Sequence, residues 1–278
     1  MPILDVILLG VLEGLTEFLP VSSTGHLILL SQVLGHDSDA DKTLDVVIQL
    51  GAVLAVVVYY RARLLELARG AFAKDKQGRA LAIALAVAFM PAAIVGLTIH
   101  GWIKQHLFGP VPVAAALVVG GVVMIVVEAW RKRAGEAAAH AGDSVHDVTR
   151  KRAFIVGLAQ CASLWPGASR SMSTIVGGQL SGLSTATAAE FSFLLAIPTL
   201  GAATLFDLWK NGRVLLEAPS GLTSLAVGLV TSFVVAMVVI AAFLKFLRRF
   251  GLAPFGWYRI VVGCAVLGLT LFGSGKIG

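Results

Sequence analysis

Six stretches of this chain, 44–60, 80–99, 111–130, 186–206, 222–247 and 255–272, are apolar over the length of a bilayer's hydrocarbon core. A helix needs about 20 predominantly apolar residues to cross it. Such stretches recur along all 278 residues and leave no room for a separate soluble domain, so the expectation is one all-α integral membrane domain, 1–278. Composition agrees, with 57% hydrophobic and 14% charged residues against roughly 45–50% and 25% in soluble domains. Met1 is followed by no basic leader with a small-residue cleavage site, so the mature chain is expected to include it. Cys161 and Cys264 sit in apolar surroundings without metal-ligand spacing, and no disulfide is expected.

The net charge of +6 is not a nucleic-acid footprint, because no aromatic and basic module accompanies it. It reads as topology. If the six spans alternate, one side receives Arg61, Arg63, Arg69, Lys74, Lys76 and Arg79, then Arg131, Lys132, Arg133, Arg150, Lys151 and Arg152, then Lys245, Arg248 and Arg249. The other receives only Lys42, Lys104, Lys210, Arg213 and Lys276. This bias places the first group in the cytoplasm and both termini outside. Trp102, Trp130, Trp209 and Trp257 fall near span ends, as interfacial aromatics do.

Residues 3–35 and 153–182 are also apolar, but each is broken near its middle by a polar patch containing proline. The expectation is two re-entrant helix pairs beside the six transmembrane helices. Non-helical backbone survives at that depth only where protein or a water-filled cavity surrounds it. The two turns should therefore line a site. Set beside each other, GVLEGLTEFLPVSSTGH from Gly10 and GLAQCASLWPGASRSMST from Gly157 align Gly10 and Glu13 with Gly157 and Gln160. A one-residue slip then brings Pro20-x-x-Ser23 onto Pro166-x-x-Ser169. With three crossings per half the halves are inverted: repeat 1 over about 1–132, repeat 2 over about 150–278, and a cytoplasmic linker at 133–149. Broken helices of inverted repeats meet near the midplane.

The chemistry concentrates at these tips. Glu13 and Glu17 share a helix face one turn apart, and intramembrane carboxylates are functional by default. Such a pair suits a divalent cation held by oxygen ligands, or proton transfer through one carboxyl of raised pKa; a structural pairing within the turn is the plain alternative. Pro20 ends one helix, and Ser22 or Ser23 is placed to cap the next, whose free amides make an anion cradle with Thr24. Ser23 and His26, three apart, suit a nucleophile with its base, or simply a cap and a backbone-bonded histidine. At the second tip Arg170 stands among Ser169, Ser171 and Thr174. It either bridges to Glu13 or Glu17, or grips phosphate in a forked geometry with those hydroxyls. Asp45, Gln49, Glu190 and Arg259 are further polar groups in or near spans, and Asp45 and Glu190 could reach the tips. Carboxylates, one arginine, helix-start amides and hydroxyls together favour phosphoryl chemistry on a lipid-borne substrate.

EGLTEFLPVSSTGHL, LDVVIQLGAVLAVVVYYR, and LWPGASRS with EFSFLLAIP resemble the undecaprenyl-diphosphate phosphatases of the bacitracin-resistance type, from about residue 5 to the C-terminus. The resemblance implies hydrolysis of undecaprenyl diphosphate to the monophosphate, recycling of the carrier lipid for peptidoglycan synthesis, and bacitracin tolerance. It implies Glu13 and Glu17 as metal ligands for Mg2+ or Ca2+. Glu17, Ser23, His26 and Arg170 would be catalytic, and Ser22, Thr24, Ser169, Arg170, Ser171 and Thr174 would bind phosphate. Met172-Ser173 departs from the smaller residues of the family pattern, between motif positions. The implied partners are undecaprenyl diphosphate and the lipid bilayer, with a homodimer as a family-level expectation, in a bacterial inner membrane with the site opening outward. A polyprenyl-phosphate flippase using the same grip is the rival reading; an intramembrane protease would leave the glutamates and Arg170 idle.

Overall fold

A computed structural model describes residues 1–36, 38–72, 75–135, 143–217 and 221–272. Lys74, Lys276 and part of the expected linker, 136–142, lie outside the described residues. Every long regular element among them is an α-helix. In chain order these are α1 Ile3–Thr16, α2 Ser23–Leu34, α3 Asp39–Val47, α4 Gln49–Tyr59, α5 Arg61–Phe72, α6 Lys76–His106 and α7 Pro110–Arg133. There follow α8 Arg150–Gln160, α9 Arg170–Leu180, α10 Thr185–Glu217, α11 Gly221–Phe250 and α12 Ala253–Phe272.

Six segments are long and apolar enough to cross a membrane: Asp39–Tyr59, Lys76–Ile99, Pro110–Arg133, Thr185–Val214, Gly221–Phe250 and Ala253–Phe272. Each coincides with an expected span, and the protein is a multi-pass membrane protein. The first span is broken at Ile48, between α3 and α4, where the Gly51 amide reaches back only three residues to the Ile48 carbonyl at 3.0 Å. Apolar side chains fill the core and also cover much of the surface, while a few polar ones are enclosed. Leu97, Val238 and Val261 face outward, while Glu13, Gln160, Ser192, Ser232 and Arg259 are wholly buried. Trp102, Trp130, Trp209 and Trp257 are all exposed near span ends.

The interrupted segments contain helices of 14 and 12 residues (α1, α2) and of 11 each (α8, α9). At about 1.5 Å per residue the longest reaches only about 21 Å, short of a crossing. Proline dictates the first break, because Pro20 has no amide to continue α1. Both second helices then start on a serine of positive φ, Ser22 at 75° and Ser169 at 72°, the only non-glycine residues of that kind among those described. Each caps the amide three residues on, Gly25 at 3.3 Å and Met172 at 3.2 Å. Gly10 and Gly157, Glu13 and Gln160, and Ser22 and Ser169 therefore stand at one constant separation along the chain. The one-residue slip expected from the prolines is corrected: the caps set the register, and Pro20 stands opposite Gly167.

The two turns meet on one buried cation. Arg259 of α12 is wholly buried and donates to the carbonyls of Pro20 (3.1 Å) and Gly167 (2.9 Å), the corresponding positions of the two turns. It also donates to Ala116 (3.0 Å) and Leu117 (3.3 Å) of α7. Gly120 leaves the space, since a Cβ there would meet the guanidinium carbon at 2.8 Å. Around this centre α7 packs along α12, α1 against α11, and α8 against α6. At the end where the positive charges were expected to collect, Arg63 pairs with Glu66 (3.1 Å) and Glu190 (3.4 Å), and His146 with Glu66 (3.2 Å).

Arg259→Met strands four buried carbonyls and is expected to cost on the order of 3 kcal/mol or more. Arg259→Lys, with the charge but no fork, should recover only a small part. Thermal unfolding of the purified protein in detergent checks both.

Candidate active site

Between the two turns lies a cavity of about 260 Å³. Its polar wall comes from Glu17, Ser22, Ser23 and Thr24 of the first turn and Ser169 and Arg170 of the second, with Gln49 from α4. Its apolar wall includes Ile103, Phe108, Leu164, Trp165, Leu200 and Ala203. Most of the residues picked out from the sequence, drawn from segments some 150 positions apart, are thus gathered round one space.

Charge organises the site. Arg170 Nη2 donates to Glu17 Oε1 at 2.8 Å, both groups being more than nine-tenths buried. Its Nη1 donates to the Ser192 carbonyl (3.0 Å) and Oγ (3.2 Å), and the guanidinium lies 5.6 Å from the centre of the Phe18 ring. Nε has no partner among the described residues. The other oxygen of Glu17, Oε2, accepts a short hydrogen bond from the Ser23 hydroxyl. Ser23 is the first residue of α2, and the left-handed turn at Ser22 directs its side chain back across the loop to Glu17.

The expected pairing of Ser23 with His26 is not what forms. His26 Nδ1 lies 2.8 Å from the Ser22 carbonyl, and Nε2 lies 2.9 Å from the Tyr258 hydroxyl. A carbonyl only accepts, so Nδ1 carries a proton, and in the neutral ring Nε2 accepts from Tyr258. His26 also stacks on Tyr258 with ring centres 5.8 Å apart. The imidazole thus braces the strained Ser22 backbone from behind.

Two of the expected phosphate ligands are also engaged elsewhere. Ser171 donates to the Leu19 carbonyl (2.9 Å), tying the second turn to the first. Thr174 donates to the Arg170 carbonyl (2.8 Å) and bonds Ser192 Oγ (2.6 Å). Neither lines the cavity, because successive turns of α9 aim these hydroxyls into its packed side. Ser169 caps α9 and still lines the cavity, as does Thr24. Of the further polar groups, Asp45 accepts from Ser31 (2.9 Å), and Glu190 sits with Arg63 at the charged end, away from the tips. Ser192 and Tyr258 had gone unnoticed, since a serine in FSFLL and a tyrosine near a span end read as core and interface.

The bacitracin resistance protein BacA family model matches residues 6–265. The chain belongs to this family. It is 68% identical over 265 residues to an undecaprenyl-diphosphatase of Sorangium cellulosum, covering 95% of this chain and 85% of that one. It is 44% identical over 270 residues to undecaprenyl-diphosphatases of Acinetobacter baumannii and Clostridium tetani, covering 97% of this chain in both and 96% and 97% of theirs.

For the divalent cation expected of the BacA family, one donor fits. Glu13 is wholly buried one turn behind Glu17; among the described residues no N–H or O–H group donates to its carboxylate oxygens, and its carboxyl lies within hydrogen-bond reach of that of Glu17. A buried carboxylate without donors calls for a cation or a proton. Among the described residues no three acidic, histidine or cysteine side chains gather as a ready-made cage, so the fit is to an ion that takes its other ligands from substrate and water.

Thr174→Val is expected to lower stability by about 1–2 kcal/mol, because its hydroxyl is internally bonded. Thr24→Val should change it by less than about 0.5 kcal/mol. Melting curves of the two variants in detergent separate structural hydroxyls from those turned to the cavity.

Proposed function

We propose that this protein hydrolyses undecaprenyl diphosphate to undecaprenyl phosphate and inorganic phosphate, recycling the carrier lipid for peptidoglycan synthesis and conferring bacitracin tolerance. The observation that carries the reading is Glu17, which is bonded at once to Arg170 of the other turn and to the Ser23 hydroxyl, at the wall of a cavity with one polar and one apolar side. The diphosphate lies between the turns, and the prenyl chain leaves along Ile103, Phe108, Leu200 and Ala203. Ser23 Oγ attacks the terminal phosphorus, its proton passes to Glu17, and undecaprenyl phosphate departs; water then releases phosphate from the serine. The direct Ser23 to Glu17 bond favours this over attack by water with Ser23 only orienting it.

Arg170 and the amides at the start of α2 and α9 take up charge that develops on phosphoryl oxygens. His26, bonded to the Ser22 carbonyl, holds the turn that presents Ser23. Glu13 would hold Mg2+ or Ca2+ together with ligands from substrate and water, since both oxygens of Glu17, the other expected ligand, are taken by Arg170 and Ser23; the ion when bound would supply positive charge beside the phosphate oxygens.

The membrane is taken to be the bacterial inner membrane, with the cavity opening outward. In support, its wall draws on Phe108, between the second and third spans, whereas the arginine-rich segments lie at the opposite span ends. The halves are read as inverted repeats of one domain, supported by the matched serine caps and by the corresponding carbonyls on Arg259.

Purified protein in detergent should release phosphate from undecaprenyl diphosphate, and a chelator should abolish release; a carrier would bind the lipid and release nothing. Ser23→Ala and Glu17→Gln are each expected to lower turnover at least about a thousandfold, and Arg170→Lys about a hundredfold. Phosphoserine trapped at Ser23 and found by mass spectrometry supports the covalent route, whereas near-normal turnover of Ser23→Ala means that water attacks.

A further inference from the structure

A second and larger cavity, about 610 Å³, opens at the arginine-rich end of the bundle. Nothing in the chemistry above uses it. Four cationic side chains line it, Arg131 and Lys132 from the end of α7 and Arg248 and Arg249 from the end of α11. The first turn of α10, Thr185 to Thr187, forms another part of the wall and brings the positive end of a 33-residue helix.

Three carboxylates share the wall, and each is already answered. Glu128 accepts from the amides of Leu252 (2.5 Å) and Ala253 (2.7 Å) and pairs with Lys132 (2.6 Å). Asp143 accepts from the Ser184 amide (2.8 Å) and the Thr187 hydroxyl (2.6 Å). Glu190 is paired with Arg63, which lies outside the cavity wall. Arg248 and Arg249 have no carboxylate partner among the described residues. The positive-inside rule explains why arginines occur at this end, but not why they surround a hollow.

An independent observation comes from Gln179. It lines the cavity, is 2% exposed, and donates through Nε2 to Thr185 Oγ1 at 2.9 Å, while its Oε1 has no partner among the described residues. With the amide turned over, the Thr185 hydroxyl donates to its oxygen and the NH2 is left to donate to a ligand. Forked guanidinia, helix-start amides and an amide NH2 are together the donor set of a phosphate group. Basic pockets between membrane helices on the cytoplasmic side take lipid headgroups of this kind.

We propose that this cavity is a second phosphate-binding site, at the opposite end of the molecule from Ser23, filled by the phosphate of an anionic lipid headgroup or by free phosphate.

The test uses the full-length protein in detergent and in nanodiscs, with phosphatidylglycerol, phosphatidylcholine and inorganic phosphate as separate probes. Binding is read by native mass spectrometry and by the shift of the thermal midpoint. The Arg248→Gln/Arg249→Gln variant should bind phosphatidylglycerol at least tenfold more weakly than wild type while releasing phosphate from undecaprenyl diphosphate at an unchanged rate. The Arg248→Lys/Arg249→Lys variant should keep part of the affinity and guards against misfolding of the first. Variant-sensitive phosphatidylglycerol binding that inorganic phosphate does not displace assigns a lipid, and variant-sensitive binding of inorganic phosphate assigns the free ion. If both glutamine and lysine variants bind every probe as wild type does, or if phosphatidylcholine binds as well as phosphatidylglycerol, the proposal is overturned.

Discussion

Carbonyl groups left over where a helix breaks inside a membrane have no water to bond, and each unsatisfied one costs several kcal/mol. Here the loose ends of two such breaks are collected by one side chain. Arg259 spends its donors on Pro20, Gly167 and two carbonyls of α7, and it pairs with no carboxylate among the described residues. Four carbonyl dipoles offset the burial of its charge, and in doing so they fix the distance between the turns. A carboxylate in their place would neutralise the cation without tying the breaks together.

Everything at the site inherits that separation. With the turns held, Glu17 and Arg170 meet at 2.8 Å across them, and Ser171 reaches the Leu19 carbonyl. Breaking a buried pair by removing one partner costs about 3–5 kcal/mol, so the two charges stay in register, and Ser192 and Phe18 hold the guanidinium from its other sides. Glu17 in turn fixes the Ser23 hydroxyl. The same carboxylate therefore orders a cation from one turn and a hydroxyl from the other, which spacing in sequence had assigned to His26. Glu13, one turn deeper and beside the Glu17 carboxyl, has no N–H or O–H donor among the described residues and is left for a different task.

The outline of the fold was legible because bilayer thickness imposes a length on every crossing, and all six spans follow it. The two polar interruptions were legible for the same reason, as costly breaks that need surroundings. Charge balance alone required a counter-charge for Arg170, and Glu17 was one of two candidates. Hydroxyl roles were much less readable. Ser171 and Thr174 look like phosphate ligands by composition, yet helix phase turns them inward, while Ser192 sits in an apolar run that carries no signal. The proline alignment misled by one residue, because the cap conformation at Ser22 and Ser169 and not the preceding proline sets where each second helix begins.

What the sequence alone determined is the number of crossings, the two places where helices break, and the concentration of acid, hydroxyl and guanidinium at those breaks. These follow from local chain properties: apolar length, proline, and the cost of charge in hydrocarbon. Only the tertiary structure decided that Ser23 answers to Glu17, that His26 braces Ser22 with Tyr258 behind it, and that Arg259 joins the turns. Those are pairings over as many as 239 positions, and which donor meets which acceptor at that range depends on how the helices pack together.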